Sequence, residues 1–319
     1  MYLTRLELEG LRGAEHVSID SAERLADLPP GPVGGAVADA IELLAAALDR
    51  KRLLPMATRL GWSTPSTELA GDHDPDLLGL HAPTAAAFVA DDVRAVTVGA
   101  EFALDPPLFG RLREHAHRDP RMVTALGQHP TVRIKVGWLF TRDRTGVAPS
   151  VLLLRIGDVA FETGGKDRAL WIPELLVELG RRFRRTDPFE RFDALPERLL
   201  SAKLSSDPVA RAGWERLRVA AVQPPFGLLE PGLVRAGDRL EICLGPDLVR
   251  LRQAGRPAWD ALRLLEAALL ERPDVLVVDE PVTAPVRAWL SGLVEAEDAP
   301  IEQVWIRSEI TAAVEGAAP

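Results

Sequence analysis

The chain has 319 residues, enough for one large α/β domain with insertions or for two lobes sharing a sheet. Apolar residues make up 47% and charged residues 27%, so a real core is available. The formal net charge of −9 excludes a protein that coats nucleic acid over its whole surface, so any DNA contact has to be a local patch. The single cysteine, Cys243, excludes a disulfide framework and a cysteine-built zinc site, and reads as a small buried strand residue. No apolar run approaches the roughly 20 residues of a membrane-spanning helix. Arg5, Glu7 and Glu9 interrupt the first apolar residues, unlike a secretory leader. The expected compartment is the cytoplasm, without membrane contact.

Met1–Glu9 alternates Leu3, Leu6 and Leu8 with polar residues and predicts a half-buried strand. Gly10–Gly13 is a turn, and Glu15–Ile19 completes a hairpin. A turn-rich Leu28–Gly35 loop precedes a predicted helix over Ala36–Leu54, with Asp39 in its first turn and Arg50, Lys51 and Arg52 in its last. Thr58–Thr84 reads mostly as loop. Strands are predicted at Arg94–Leu104, Thr131–Thr141, Ser150–Ile156 and Val159–Glu162, forming an antiparallel meander, with a short helix at Pro107–His117. Helices follow at Pro173–Arg185, Asp187–Lys203 and Pro208–Ala221, then a strand at Val234–Leu244 and a helix at Ala258–Glu271. Val275–Val278 is wholly apolar, as in a strand buried on both faces of a parallel sheet. A helix at Val286–Glu297 and a strand at Gln303–Arg307 close the chain.

The strongest local signal is Arg272-Pro-Asp-Val-Leu-Val-Val-Asp-Glu-Pro281. Apolar β-formers run into two acids, as in a Walker B strand. There Asp279 would hold the shell of a Mg²⁺ ion and Glu280 would polarise the attacking water. The acids belong at the carboxyl end of such a strand, where ligands of open α/β sheets bind. The plain alternative is a buried strand ending in a solvated turn.

This segment resembles the RPDVLLLDEP stretch of ABC-type ATPases, and Met1–Gly13 resembles the opening of RecF, SMC and related members. The likeness is best over Met1–Leu54 and Gly237–Glu309. It implies an α/β, P-loop NTPase sheet of the ABC-ATPase head type, with an antiparallel β lobe and a helical insertion. The corresponding division is a single domain over 1–319: an N-terminal lobe at 1–165, a helical insertion at 166–232 and a C-terminal lobe at 233–319. It also implies that Val275–Glu280 is aimed at the Gly31–Ala38 bend.

The departures from that family are specific. Where its P-loop reads G-P-N-G-S-G-K-S, this chain has Gly31-Pro-Val-Gly-Gly-Ala-Val-Ala38. Gly31, Gly34 and Gly35 remain to shape a nucleotide-binding loop. Val37 stands in place of the phosphate-binding lysine and Ala38 in place of the Mg²⁺-holding hydroxyl. The signature falls near Gly255–Trp259, without its serine and with Pro257 inside it. The switch histidine is replaced by Glu309, and the acid after Pro281 is missing. Trp259 and Trp305 stand near expected catalytic contacts and are read as filling nucleotide space.

Arg181-Arg-Phe-Arg-Arg185 is the densest basic cluster, so Arg181, Arg182, Arg184 and Arg185 are candidates for contacting nucleic acid or an acidic partner. Acids from Asp187 onward favour the plainer reading of a salt-bridged, solvated helix. Among the histidines only His115 and His117 lie close together, and no third metal ligand is placed. The leading expectation is therefore a catalytically degenerate ATPase, serving as a structural or regulatory subunit in DNA maintenance or phage defence. It would be a homo-dimer, or a hetero-oligomer with an ATPase or other protein subunit, with nucleic acid as a further partner and no tightly bound cofactor. The alternatives are an active ATPase that uses ATP, Mg²⁺, Glu280 and a cation such as Lys166, or a binding module without nucleotide.

Overall fold

The computed structural model describes residues 1–11, 14–21, 23–49, 52, 56, 80–81, 95–104, 106, 109–110, 113–114, 120–128, 131–140, 146–161, 172–186, 194–236, 239–296, 299 and 301–308. The chain divides into two compact units. One comprises Met1–Glu23 with Leu28–Phe183, the other Arg24–Asp27 with Arg184–Pro319. The expected lobes 1–165 and 233–319 and the insertion 166–232 do not coincide with these units.

The first unit is built on an antiparallel sheet. Its strands are β1 (Tyr2–Leu11), β2 (Ala14–Asp20), β4 (Leu80–His81), β5 (Ala95–Ala103), β6 (Thr131–Phe140), β7 (Gly146–Ile156) and β8 (Val159–Phe161), in the order β2-β1-β5-β6-β7-β4 with β8 on β7. The predicted hairpin and meander are both present. Leu3 and Leu6 are three apart, yet both are fully buried. A register shift between Leu3 and Arg5 makes Thr4 the extra residue, and its hydroxyl donates to Glu101 O at 3.1 Å. On the same strand Glu7 accepts from Arg133 at 2.9 Å and Glu9 from Lys135 at 3.4 Å, a ladder of cross-strand ion pairs.

Helix α1 (Pro32–Leu48) packs against β1, β5 and β7 and against the helix Ile172–Arg181. It starts four residues earlier than expected. Pro32 fits the first helical turn, where no N–H is required. Gly31 supplies the left-handed turn before it, with φ 71°. Asp39 consequently lies beyond the first turn and is buried, and the helix stops at Leu48, short of the basic residues. Gly34 is required by packing, because a Cβ there would collide with the Pro29 carbonyl oxygen.

A second sheet is ordered β3-β14-β13-β9, formed by Leu25–Asp27, Gln303–Ser308, Val275–Val282 and Phe183–Arg185, and all of its residues but Phe183 belong to the second unit. β3, β14 and β13 run parallel. A hairpin of β10 (Pro231–Ala236) and β11 (Arg239–Leu244) is extended by β12 (Val249–Arg250). The core of the second unit joins one sheet face, through Leu276, Val278, Val304 and Ile306, to residues of four helices. These include Leu199 of Ala194–Leu204, Trp214 and Leu217 of Pro208–Val222, Leu262 and Leu265 of Arg256–Glu266, and Leu290 of Ala284–Glu295. Cys243 is buried on β11, as its composition class predicts.

Two expectations are corrected here. The helix expected over Pro173–Arg185 ends at Arg181, and Phe183–Arg185 is a strand, because Thr186 N donates to Val277 O at 2.9 Å and fixes that segment to the sheet. The helix expected through Glu271 is α-helical only to Glu266 and finishes as a π turn, Ala267–Glu271, ended by Arg272 in the left-handed region. Strand β3 was not expected, since three residues are too short for a period to register. Gly34→Ala is expected to lower the unfolding free energy by about 1–3 kcal/mol, while Gly292→Ala, in open space on an exposed helix, raises it by about 0.5–1 kcal/mol. Urea unfolding monitored by tryptophan fluorescence measures both.

Candidate functional site

The carboxyl end of β13 is where the sequence puts its acids, and the strand breaks its ladder there. Val278 pairs with Ile306 and Pro281 with Arg307, so Asp279 and Glu280 form a bulge. Pro281 has no N–H to continue the pairing. Bulges of this kind are frequent beside functional sites. Strand alternation before the bulge sends Val275 and Val277 to one face and Leu276 and Val278 to the other.

The two acids meet different partners. Asp279 Oδ2 accepts from Arg185 Nη2, and its Oδ1 accepts from Arg307 Nε at 3.1 Å, with Arg307 Nη2 at 2.9 Å. The side chains of Asp279 and Arg185 are only 10% and 9% exposed. Glu280 turns towards Arg256–Glu266 and accepts from Arg263 Nη1 at 3.1 Å. Burial pushes the Glu280 carboxyl above the usual carboxylate range, against the lowering effect of Arg263. The two acids are thus neutralised separately, Asp279 by Arg185 and Arg307 and Glu280 by Arg263.

These residues do not fit a Mg²⁺ ion. Such an ion needs carboxylate oxygens presented to it in near-octahedral geometry. Both oxygens of Asp279 already serve guanidiniums, whose charge would repel a second cation. Among the described residues no group of three or more His, Cys, Asp or Glu is placed to hold a metal.

The glycine segment departs from its expected form as well. Gly34 and Gly35 are helical residues of α1, not part of a loop, and Gly34 N donates to Gly31 O at 3.2 Å. Val37 and Ala38 are fully buried in the first unit. Gly31–Ala38 and Val275–Glu280 thus belong to different units. Gly255 is the N-cap of the helix Arg256–Glu266, Trp259 lies in the apolar core of the second unit, and Trp305 is buried on β14. Glu309 and Lys166, and the pair His115 and His117, lie outside the described residues.

The arginine cluster is dispersed by the fold. Arg181 faces Asp49 at 3.7 Å, and Arg182 bonds Glu178 one helical turn back at 3.2 Å. Arg184 and Arg185 are neighbours on a strand and so point to opposite faces. Arg184 pairs with Glu271 at 2.5 Å on the helical side, and Arg185 pairs with Asp279. The four do not form one basic face of one helix, which corrects the helical reading. Sequence reasoning missed Arg263 and Arg307 as partners of the acids. The two available signals were an arginine on the last strand and another on the helix Arg256–Glu266.

A second buried acid lies on the helical side. Glu266 is 1% exposed and accepts from Arg198 Nε at 2.6 Å. Burial pushes its carboxyl up to about 7, Glu271 adds to the rise, and Arg198 and Arg184 oppose it.

No protein-family model and no curated protein matches the chain. Among solved structures, that of the recombination mediator protein RecF-ATP in the RecFOR pathway is similar at a TM-score of 0.44 and 9% identity, over 97% of this chain and 93% of that one.

Two predictions follow from the buried acids. Asp279→Ala leaves two largely buried guanidiniums without their acid and is expected to lower stability by about 3–5 kcal/mol. The triple change Arg185→Met, Asp279→Leu, Arg307→Met is expected to recover most of that loss in urea unfolding. For Glu266, a folded pKa raised above the ordinary 4.5 means that its stabilising contribution is complete below about 4.5 and is lost as the pH rises through about 7. The urea midpoint should therefore fall between about pH 5 and pH 8, and Glu266→Gln should flatten that slope.

Proposed function

We propose that this chain is a catalytically degenerate ATPase-like protein of the RecF/SMC kind. It serves as a structural or regulatory subunit in DNA maintenance or phage defence, as a homo-dimer or beside an active ATPase or another protein subunit. The observation that carries the reading is the state of the Asp279 carboxylate. An apolar parallel strand ends in Asp279 and Glu280, the sequence of a hydrolytic strand, yet Arg185 and Arg307 hold both oxygens of the aspartate. A guanidinium supplies positive charge where catalysis would require an exchangeable metal ion, so the strand keeps its electrostatic balance without nucleotide.

The glycine segment supports the same reading. Phosphate transfer depends on a lysine and a hydroxyl beside the phosphates. The residues at those places, Val37 and Ala38, are apolar and serve the core. Apolar residues at those places are what a chain without turnover would carry, which supports the degenerate reading.

Calorimetric titration with Mg·ATP tests this reading. The expected result is no saturable heat up to about 1 mM nucleotide, corresponding to binding weaker than about −4 kcal/mol. Phosphate release is expected to stay at background in the parent chain and in Glu280→Gln alike. Micromolar binding, or turnover abolished by Glu280→Gln, would refute the degenerate reading in favour of an active enzyme with unusual motifs.

A further inference from the structure

Helices α5 (Pro208–Val222) and α8 (Ala284–Glu295) and the π turn Ala267–Glu271 border an open groove of about 320 Å³. Its apolar lining is Val219, Ala220, Leu269, Trp289 and Leu293. The helix α5 is apolar on two sides. Trp214, Leu217 and Ala221 serve the core, and Val219 and Val222 face outward at 53% and 44% exposure. The inner face is explained by packing, and the outer one is not. Trp289 is held in place by an edge-on contact with Phe226 at 4.9 Å, so a rigid aromatic wall is presented to the groove.

The charges around this groove select its occupant. Glu215 on the rim is already bonded to Arg218 at 2.7 Å, and Arg218 also bonds Glu230. Arg216, on the same rim, donates at 3.4 Å to Ala212 O of its own helix. Arg272 follows directly on the π turn that carries Leu269. Its pKa is lowered by partial burial and then by the charge of Arg216, so the two cations lie near each other. Neither is ion-paired to a carboxylate among the described residues, in a chain whose net charge is −9. An apolar slot beside two cations that no described carboxylate neutralises calls for carboxylates from outside.

We propose that the α5/α8 groove docks an amphipathic helical segment of a partner protein, with leucine-like side chains entering beside Trp289 and Val219 and acidic residues meeting Arg216 and Arg272. Helix-in-groove recognition of this type places apolar anchors at i, i+3 or i+4, and i+7. A few such anchors in a desolvated centre carry most of the affinity, and rim charges set preference and association rate. The proposal does not depend on nucleotide binding at Asp279 or Glu280, so either one can fail alone.

The test is selection of random displayed peptides of about four helical turns on the full chain, with counter-selection on the Val219→Asp variant. The expected outcome is enrichment of sequences with Asp or Glu flanking apolar residues at helical spacing. A synthetic representative, followed by fluorescence anisotropy, should bind about tenfold or more weakly to Val219→Asp. It should also bind less tightly to Arg216→Glu and at raised salt. Val219 is half exposed, so Val219→Asp should keep the fold, which circular dichroism checks. Trp289→Phe gives a second, milder probe of the same wall. Three results would overturn the proposal: no enrichment, enrichment of basic peptides, or equal binding to parent and Val219→Asp. Sedimentation showing a dimer of the parent that Val219→Asp dissolves would assign the groove to a second copy and also reject it.

Discussion

The second unit depends on a carboxylate kept at the end of an apolar strand. Asp279 lies where β13 leaves its ladder, almost out of contact with water, and such a charge persists only if it is paired and hydrogen-bonded. Arg185 and Arg307 perform that task from the strands on either side of β13. The interaction thus ties β9, β13 and β14 together at the carboxyl end of β13. Removing Asp279 would take from both arginines the acid that they share. The same clamp that secures the sheet makes the site unsuited to a metal.

A second charged layer lies on the opposite face. Glu280 with Arg263, Arg184 with Glu271 and Arg198 with Glu266 join the sheet, the π turn and two helices. These pairs are partly or wholly removed from solvent, where screening is weak and geometry decides their worth. The π turn lies in this layer, between Glu266 and Glu271. Its backbone is approached closely by α5, since a Cβ on Gly213 would lie 2.8 Å from Leu269 O. That tight crossing brings Leu269 and the outer valine of α5 to one groove, which links the packing of the core to the surface proposed for docking.

In the first unit the decisive constraint is steric. Gly31 turns the chain, Pro32 opens the helix, and Gly34 passes under the Pro29 carbonyl. The resulting helix buries Val37, Ala38, Ile41 and Leu44. A phosphate loop needs its backbone amides to curl around an anion. Here Gly34 and Gly35 are committed to an α-helix, Gly34 serves close packing and Gly31 serves the turn that precedes the helix.

Much of this was legible in the chain itself. Alternating apolar residues marked β1 and β5, and the run Val275–Val278 marked a strand buried on both faces, because side-chain period and burial are local consequences of composition. The tertiary structure decided the rest, because the partners are far apart in sequence. Thr186 and Val277 fixed Phe183–Arg185 as a strand and divided one basic cluster between two units. Arg185 reached Asp279 across 94 positions and Arg307 reached it across 28. The sequence determined that two acids end an apolar strand. Only the fold, by bringing remote guanidiniums onto those acids, decided that they are neutralised from within, since electrostatic pairing depends on distance in space and not on order along the chain.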